Sequence, residues 1–397
     1  MYPFRRRGSW KAVVGLVTGG HFLSHFYLLV FPPLFPALRS AFDLSNTELG
    51  LIVSAIAVTT FLQIPVGDLV DRIGARPVFL TGTALTGIGV GLVGMAPSYL
   101  AVLAFALVSG IGQSAFHPAD YALLDAVSTG QAEGRSFGIH TFGGYAGYAT
   151  APIVVGTIAA WADWRMALLT VGGFGIGYAV LAWFLLEPVH QGHRGDRSVG
   201  DGENEDSSIQ AMLTVGMVLV FGLFVLITMA SVGIQTFTPV LFIDGYGFSE
   251  TAGNSALTAF FVLAAIGVLV GGYLADRYAP AQVIAVVVVF AAVGTGLAVV
   301  SGLVPTSLVA IGILATIGLF NGLALPSRDR LVNALSPPGA VGKGFGVVFS
   351  AAALAQLIAP ALLGAVIDYS TVASAFGLIA GLFLVTALVA VAVEMID

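Results

Sequence analysis

Long apolar runs separated by short polar breaks dominate the chain. A membrane-spanning helix needs about 20 mostly apolar residues. Punctuating the runs at charges, Pro and Gly gives twelve candidates, near 12–38, 49–69, 77–96, 99–124, 136–160, 165–186, 210–243, 252–274, 281–303, 306–327, 343–367 and 371–394. The runs are continuous rather than alternating, which argues against spanning strands. The predicted fold class is an all-α membrane protein of twelve transmembrane helices. One stretch is strongly polar, His190 to Ser208, reading HQGHRGDRSVGDGENEDSS. It cannot bury apolar surface, and it divides the spans six and six. The expected organisation is an N-terminal six-helix bundle over 1–189, a linker over 190–208 and a C-terminal six-helix bundle over 209–397.

Composition agrees with a lipid-facing surface. Hydrophobic residues make up 57% of the chain and charged residues 9%, against about 25% charged in a soluble domain. The mean hydropathy is +0.97. The 51 glycines suit close helix packing in lipid. With no cysteine, disulfide and thiolate chemistry are excluded. The apolar run after the basic Met1–Lys11 segment is long enough to read as a first span rather than a cleaved signal.

The placement of charge says more than its net value. With the N-terminus inside, Arg5, Arg6, Arg7, Lys11, Arg72, Arg76, Arg135, Arg194, Arg197, Arg277, Arg328, Arg330 and Lys343 fall on cytoplasmic ends or loops. Only Arg39 and Arg165 fall outside. A multi-pass protein of the cell membrane with both termini cytoplasmic is expected, as a monomer in the lipid bilayer.

The two halves repeat each other. An offset of 208 residues places Gly110 on Gly318, Pro118 on Pro326, Ala126 on Ala334, Gly134 on Gly342, Arg135 on Lys343, Phe137 on Phe345, Gly138 on Gly346, Ala151-Pro152 on Ala359-Pro360 and Gly156 on Gly364. Loop glycines, prolines and basic positions match, which chance similarity among apolar helices does not supply. The bundles are therefore pseudo-symmetric, and parallel six-plus-six repeats hold a solute site near the midplane.

Span 2 ends in Gly67-Asp68-Leu69-Val70-Asp71-Arg72-Ile73-Gly74-Ala75-Arg76, and span 8 in Gly272-Tyr273-Leu274-Ala275-Asp276-Arg277. Arg at a helix C-terminus complements the dipole, and Gly74 permits a tight turn. The first segment resembles the cytoplasmic loop signature of the major facilitator superfamily, and the weaker copy lies where that family has its second. His21-Phe22, Phe26-Tyr27, Pro33-Leu34-Phe35-Pro36, Phe116-His117-Pro118 and Arg135-Ser136-Phe137-Gly138-Ile139-His140 resemble the fosmidomycin-resistance-like efflux branch of that family. Trp161 and Trp164-Arg165 fit facilitators generally. The resemblance implies the twelve-helix facilitator fold and efflux of a small organic solute. Two positions depart from it. His25 stands where that branch tends to have an acidic residue, and Ala106 where many proton-driven exporters have Arg. Coupling to protons therefore rests on His21, His25, His117 and Asp120, or is absent.

Ionisable residues inside a membrane are costly and point to function. His21 and His25 lie one turn apart on span 1, followed by Tyr27. Histidine titrates near neutrality, so the pair is a candidate for solute or proton binding. Gln113, His117 and Asp120 step along span 4 with His140 at similar depth on span 5, and form a candidate relay. Pro118 is expected to bend span 4. No metal is expected, since no third ligand clusters with the two histidines in the sequence. Gln63, Tyr145, Tyr148, Gln235, Asn254, Asn321 and Gln356 are further cavity candidates. Gly67, Asp68, Asp71, Arg72, Gly74, Arg76, Asp276, Arg277, Arg328 and Asp329 form the expected cytoplasmic gate and loop signature, with Arg330 beside it. Gly143, Gly144 and Gly147, with Ala151-Pro152 and Gly156, resemble the antiporter signature of exporters and are expected to form a close-packing interface between halves.

No P-loop context appears, and no nucleophile–base constellation. An enzyme, a cofactor and a nucleic-acid partner are not expected. The leading expectation is a secondary transporter of a small organic solute working by alternating access. An organic-anion importer or facilitator, and a transporter-like sensor or lipid-handling protein, remain alternatives at this point.

Overall fold

In a computed structural model, residues 10–128, 131–187, 214–300, 304–337 and 340–396 are described. The linker 190–208 and Arg5, Arg6, Arg7, Arg194 and Arg197 lie outside them. Every described element is helical: α1 (Trp10–Leu28), α2 (Phe35–Phe42), α3 (Asn46–Ala57), α4 (Gln63–Ile73), α5 (Ala75–Gly94), α6 (Tyr99–Gln113), α7 (Phe116–Val127), α8 (Gln131–Trp161), α9 (Trp164–Leu185), α10 (Val215–Val240), α11 (Glu250–Ala275), α12 (Pro280–Ala298), α13 (Ser307–Leu335), α14 (Val341–Tyr369) and α15 (Val372–Glu394). Eleven helices or helix runs among the described residues are long and apolar enough to cross a membrane. The more polar α8, 31 residues long, falls on the expected fifth span.

Three expected spans are interrupted. Span 1 breaks after α1 and resumes as α2 beyond a short 3-10 turn at Pro32–Leu34. Span 2 passes through a 3-10 turn at Val58–Leu62 between α3 and α4. Span 4 breaks between α6 and α7, at Ser114-Ala115 rather than at Pro118 itself. Proline lacks an N–H, so the carbonyl four residues earlier has no helical donor, and that residue is Ser114. Span 10 runs past its expected end, and Arg328, Asp329 and Arg330 lie inside α13.

Local chemistry sets the helix ends. Ser98, Asp163, Thr214, Ser249, Thr306 and Thr371 each accept a backbone N–H three residues on, as N-caps do. Ser45 and Glu48 form a reciprocal capping box before α3: Ser45 N–H donates to Glu48 Oε2 at 2.9 Å, and Glu48 N–H donates to Ser45 Oγ at 3.2 Å. Gly74 alone links α4 to α5, at φ 91°, in the region that favours glycine.

The chain forms two compact units: Met1–Leu34 with Ala55–Val199, and Phe35–Ser54 with Gly200–Asp397. The first has a core of Val13, Val17, Phe79, Phe116, Leu123 and Leu186. Glycines let α5 and α9 meet backbone to backbone, as at Gly87 and Gly172. The second unit packs α11 on α13 through Gly267, Gly271, Gly318 and Gly322.

The second unit also contains Phe35–Ser54, a segment from the first half of the sequence. Asp368 at the end of α14 accepts the backbone N–H groups of Asn46 and Thr47, each at 2.8 Å, and the Thr47 hydroxyl at 2.6 Å. These donors open α3 and have no partner within the helix. Arg39 Nη1 pairs with Asp244 at 2.6 Å, and the Ser54 hydroxyl donates to the Leu357 carbonyl at 2.7 Å. Gly50 meets Pro360 so closely that a Cβ would strike the Pro360 carbonyl.

Candidate functional site

The candidate site lies within the first unit. α1 carries His21 and His25, α7 carries His117 and Asp120, and α8 carries His140. The sequence separates α1 from α7 and α8 by roughly a hundred residues; helix packing brings them together. Gly144 on α8 makes the approach possible. A Cβ there would lie 2.8 Å from both His21 Nε2 and His25 Nδ1. A Cβ on Gly143 would press on Thr18, and one on Gly147 would strike the Phe22 carbonyl. These three glycines thus pack α8 on α1 inside one unit. They were expected to form a close-packing interface; within the first unit their small size seats the histidine-bearing face of α1.

The cluster is compact. The ring centroids of His21 and His25 are 4.3 Å apart, those of His21 and His140 are 3.7 Å apart with planes 26° from parallel, and those of His21 and His117 are 5.4 Å apart. Asp120 Oδ2 lies 3.3 Å from His21 Nδ1 and 3.8 Å from His140 Nε2. Asp120 is 0% exposed, His140 2% and His21 4%. Tyr148 lies against His25 at 4.3 Å between centroids, and Tyr121 lies 5.6 Å from His117.

Polar atoms here lack the partners that buried groups ordinarily have. Both oxygens of Asp120, both nitrogens of His140, and Nδ1 of His21, His25 and His117 make no hydrogen bond. The 3.3 and 3.8 Å separations exceed the usual N–H···O range. A buried carboxylate with no donor is expensive. The cheap states are those in which a proton or another cation sits between Asp120 and the imidazoles.

The other candidates fall elsewhere. Gln113 is buried and tied to α1: its Nε2 donates to the Ser24 carbonyl at 2.7 Å, and its Oε1 accepts the Ser24 hydroxyl at 2.8 Å. The Tyr27 hydroxyl donates to the Val171 carbonyl on α9 at 2.6 Å. Gln63 and Tyr145 are half-buried in the first unit, and Gln235 and Gln356 in the second. Asn321 Nδ2 donates to Ser231 Oγ at 2.5 Å.

The loop-signature residues divide by role. Asp68, Asp71 and Arg72 are exposed, and Gly67 and Gly74 are half-buried. Arg76 donates to the carbonyls of Leu186 and Trp183 at 2.5 and 2.6 Å, capping the end of α9. In the second unit Arg330 bonds to the Ala275 carbonyl and pairs with Asp276 at 3.3 Å. Arg277 lies over the Tyr273 ring, and Arg328 lies over the Phe224 ring and pairs with Asp329 at 3.0 Å.

Ser24 and Tyr121 escaped the sequence reading. Ser24 had a detectable signal. The repeat offset of 208 relates Gln113 to Asn321, and each amide bonds a serine, Ser24 or Ser231, on the first long helix of its unit. Tyr121 follows Asp120 directly, but nothing in its spacing points to the histidines.

The profile of the Major Facilitator Superfamily matches residues 17–327 and 241–395. The chain is 26% identical over 368 residues to the uncharacterized MFS-type transporter YfnC of Bacillus subtilis (strain 168), covering 88% of this chain and 84% of that one. It is 23% identical over 273 residues to the fosmidomycin resistance protein of Escherichia coli (strain K12), covering 67% and 65%. The crystal structure of a bacterial homolog of the human lysosomal transporter Spinster, inward-facing and unoccupied, superposes with a TM-score of 0.79 at 15% identity, covering 97% of this chain and 95% of that one. That likeness speaks to the fold alone.

Proposed function

This chain belongs to the Major Facilitator Superfamily, and from that premise we propose that it exports a small organic solute in exchange for protons. It is a multi-pass membrane protein and a transporter of some solute, not an enzyme. The proposal concerns what is finer: direction, drive and site. Transport proceeds by alternating access of the two units, with both termini in the cytoplasm, as the distribution of Lys and Arg supports. Protons bind at the cluster of His21, His25, His117, Asp120 and His140.

One observation carries the coupling: a fully buried Asp120 with both oxygens unpartnered, lying beside the imidazoles of His21 and His140. A carboxylate left charged there costs several kcal/mol, and a proton shared with His21 or His140 removes that cost. Each arrival or departure of a proton thus changes the energy of this site by far more than thermal energy, which a conformational cycle can use. The cluster offers titratable groups without the acidic residue in span 1 or the Arg in span 4. The likeness to the fosmidomycin resistance protein supports export.

The test uses purified protein in proteoliposomes, with fosmidomycin as the first solute tried and a panel of small organic compounds after it. Movement should need no ATP and should stop when the pH gradient is collapsed. Direction is read in whole cells, where the protein should lower solute content. Transport indifferent to pH in the wild type and unaffected by His25→Ala would sink proton coupling. Accumulation in cells would replace the exporter with an importer.

A further inference from the structure

We propose that His21, Asp120 and His140 form a binding site for a divalent transition metal of the zinc type. The sequence offered only two neighbouring histidines on α1, too few for a metal. The fold supplies the missing ligands from α7 and α8. One atom of each of His21, Asp120 and His140 falls in a group within 4.8 Å of one another.

The spacing suits an ion better than hydrogen bonds. Zinc ligand atoms about 2.0–2.1 Å from a tetrahedral centre lie about 3.4 Å apart. The separations here are 3.3 Å from His21 Nδ1 to Asp120 Oδ2 and 3.8 Å from His140 Nε2 to Asp120 Oδ2. All three residues are buried, and these ligand atoms make no hydrogen bond. The His21 and His140 rings are stacked at 3.7 Å between centroids, so one ring must turn before both nitrogens aim at a shared cation, which would then satisfy three orphaned groups at once. Two imidazoles and one carboxylate favour zinc, cobalt, nickel or copper, and disfavour magnesium or calcium, which take oxygen ligands. Three protein ligands leave a fourth position open, the arrangement of sites that exchange water or another donor. His25 and His117 flank His21 and complete the polar shell. Protons and the ion would compete for the same nitrogens. The inference rests on the transport reading in one respect: alternating access opens the buried cluster to water.

The experiment uses the full chain in detergent with its affinity tag removed, and Zn2+ or Co2+ as the only probe, with no solute and no gradient. Equilibrium dialysis should find one buried zinc per chain. Co2+ should give the intense visible bands of a four-coordinate site, and Zn2+ should bleach them. His190 and His193 of the linker are a second possible source of zinc binding, so the measurement is repeated in the H190Q/H193Q variant, which should retain the site. Asp120→Asn and His140→Gln should each weaken binding at least about tenfold, since even outer-shell losses cost about 10–100-fold. The proposal is overturned if wild-type protein gives no tetrahedral cobalt spectrum, if H190Q/H193Q abolishes binding, or if folded D120N and H140Q bind zinc as tightly as the wild type. Failure of the transport reading appears differently, as proton-indifferent flux in chelator-treated vesicles.

Discussion

The two units share a frame and differ in what they place on it. At an offset of 208 residues, Gln113 corresponds to Asn321 and Pro118 to Pro326. In each unit the amide bonds a serine one long helix away, Ser24 in the first and Ser231 in the second. The same offset turns Asp120 into Arg328, His117 into Leu325, His140 into Val348 and Gly144 into Ala352. Val348 is fully buried in apolar packing, and Arg328 reaches out over Phe224. Duplication thus preserved the backbone frame while the titratable cluster stands in one copy only. Every buried ionisable group costs stability, so one such cluster costs the fold less than two.

Exchanging the distinguishing charges should separate the units most sharply. Asp120→Arg would bury a guanidinium among imidazoles, at an insertion cost of about 2.5–3.5 kcal/mol for a central charge. Folded protein, measured as the monodisperse fraction on size-exclusion chromatography, should be largely lost. Arg328→Asp removes a largely buried cation–π contact with Phe224, worth about 2 kcal/mol when desolvated, and should lose less folded protein than Asp120→Arg.

The glycine position comes next. Gly144→Ala should destabilise by about 1–3 kcal/mol through overpacking against His21 and His25. Ala352→Gly in the second unit should cost about 1 kcal/mol through helix propensity alone. Thermal unfolding in detergent reads both. A tolerated G144A would mean that α1 and α8 are not held at this distance.

The smallest effect tests the shared frame. Gln113→Leu removes two interhelical hydrogen bonds and Asn321→Leu one, each worth on average about 0.6 kcal/mol in membranes. Both should lower the melting temperature by small amounts, Gln113→Leu by about twice as much as Asn321→Leu. A large drop in one alone would show that the amide–serine link is not equivalent in the two units.

Much of this was legible in the sequence, and the exceptions are instructive. Span number, order and the 208-residue repeat follow from hydropathy and from Gly and Pro positions, because lipid requires each span to be a long, apolar, essentially helical run even where a short turn interrupts it. The pairs His21–His25 and His117–Asp120 follow from the helical period. Their convergence does not, because it depends on how closely α8 approaches α1, which Gly143, Gly144 and Gly147 decide. The break at Ser114 was displaced from Pro118 because proline acts on a carbonyl one turn back. The placement of Phe35–Ser54 in the second unit was invisible, since Asp368, more than three hundred residues away, provides the acceptor for the first N–H groups of α3.

The central claim is that the buried cluster of the first unit, and not its counterpart in the second, couples transport to protons. The most direct test compares solute accumulation driven by a pH gradient in proteoliposomes for wild type, Asp120→Asn and Arg328→Gln. Wild type and R328Q should concentrate the solute above its external level. D120N should only equilibrate it, while still exchanging labelled for unlabelled solute. Accumulation by D120N equal to that of the wild type would contradict the claim.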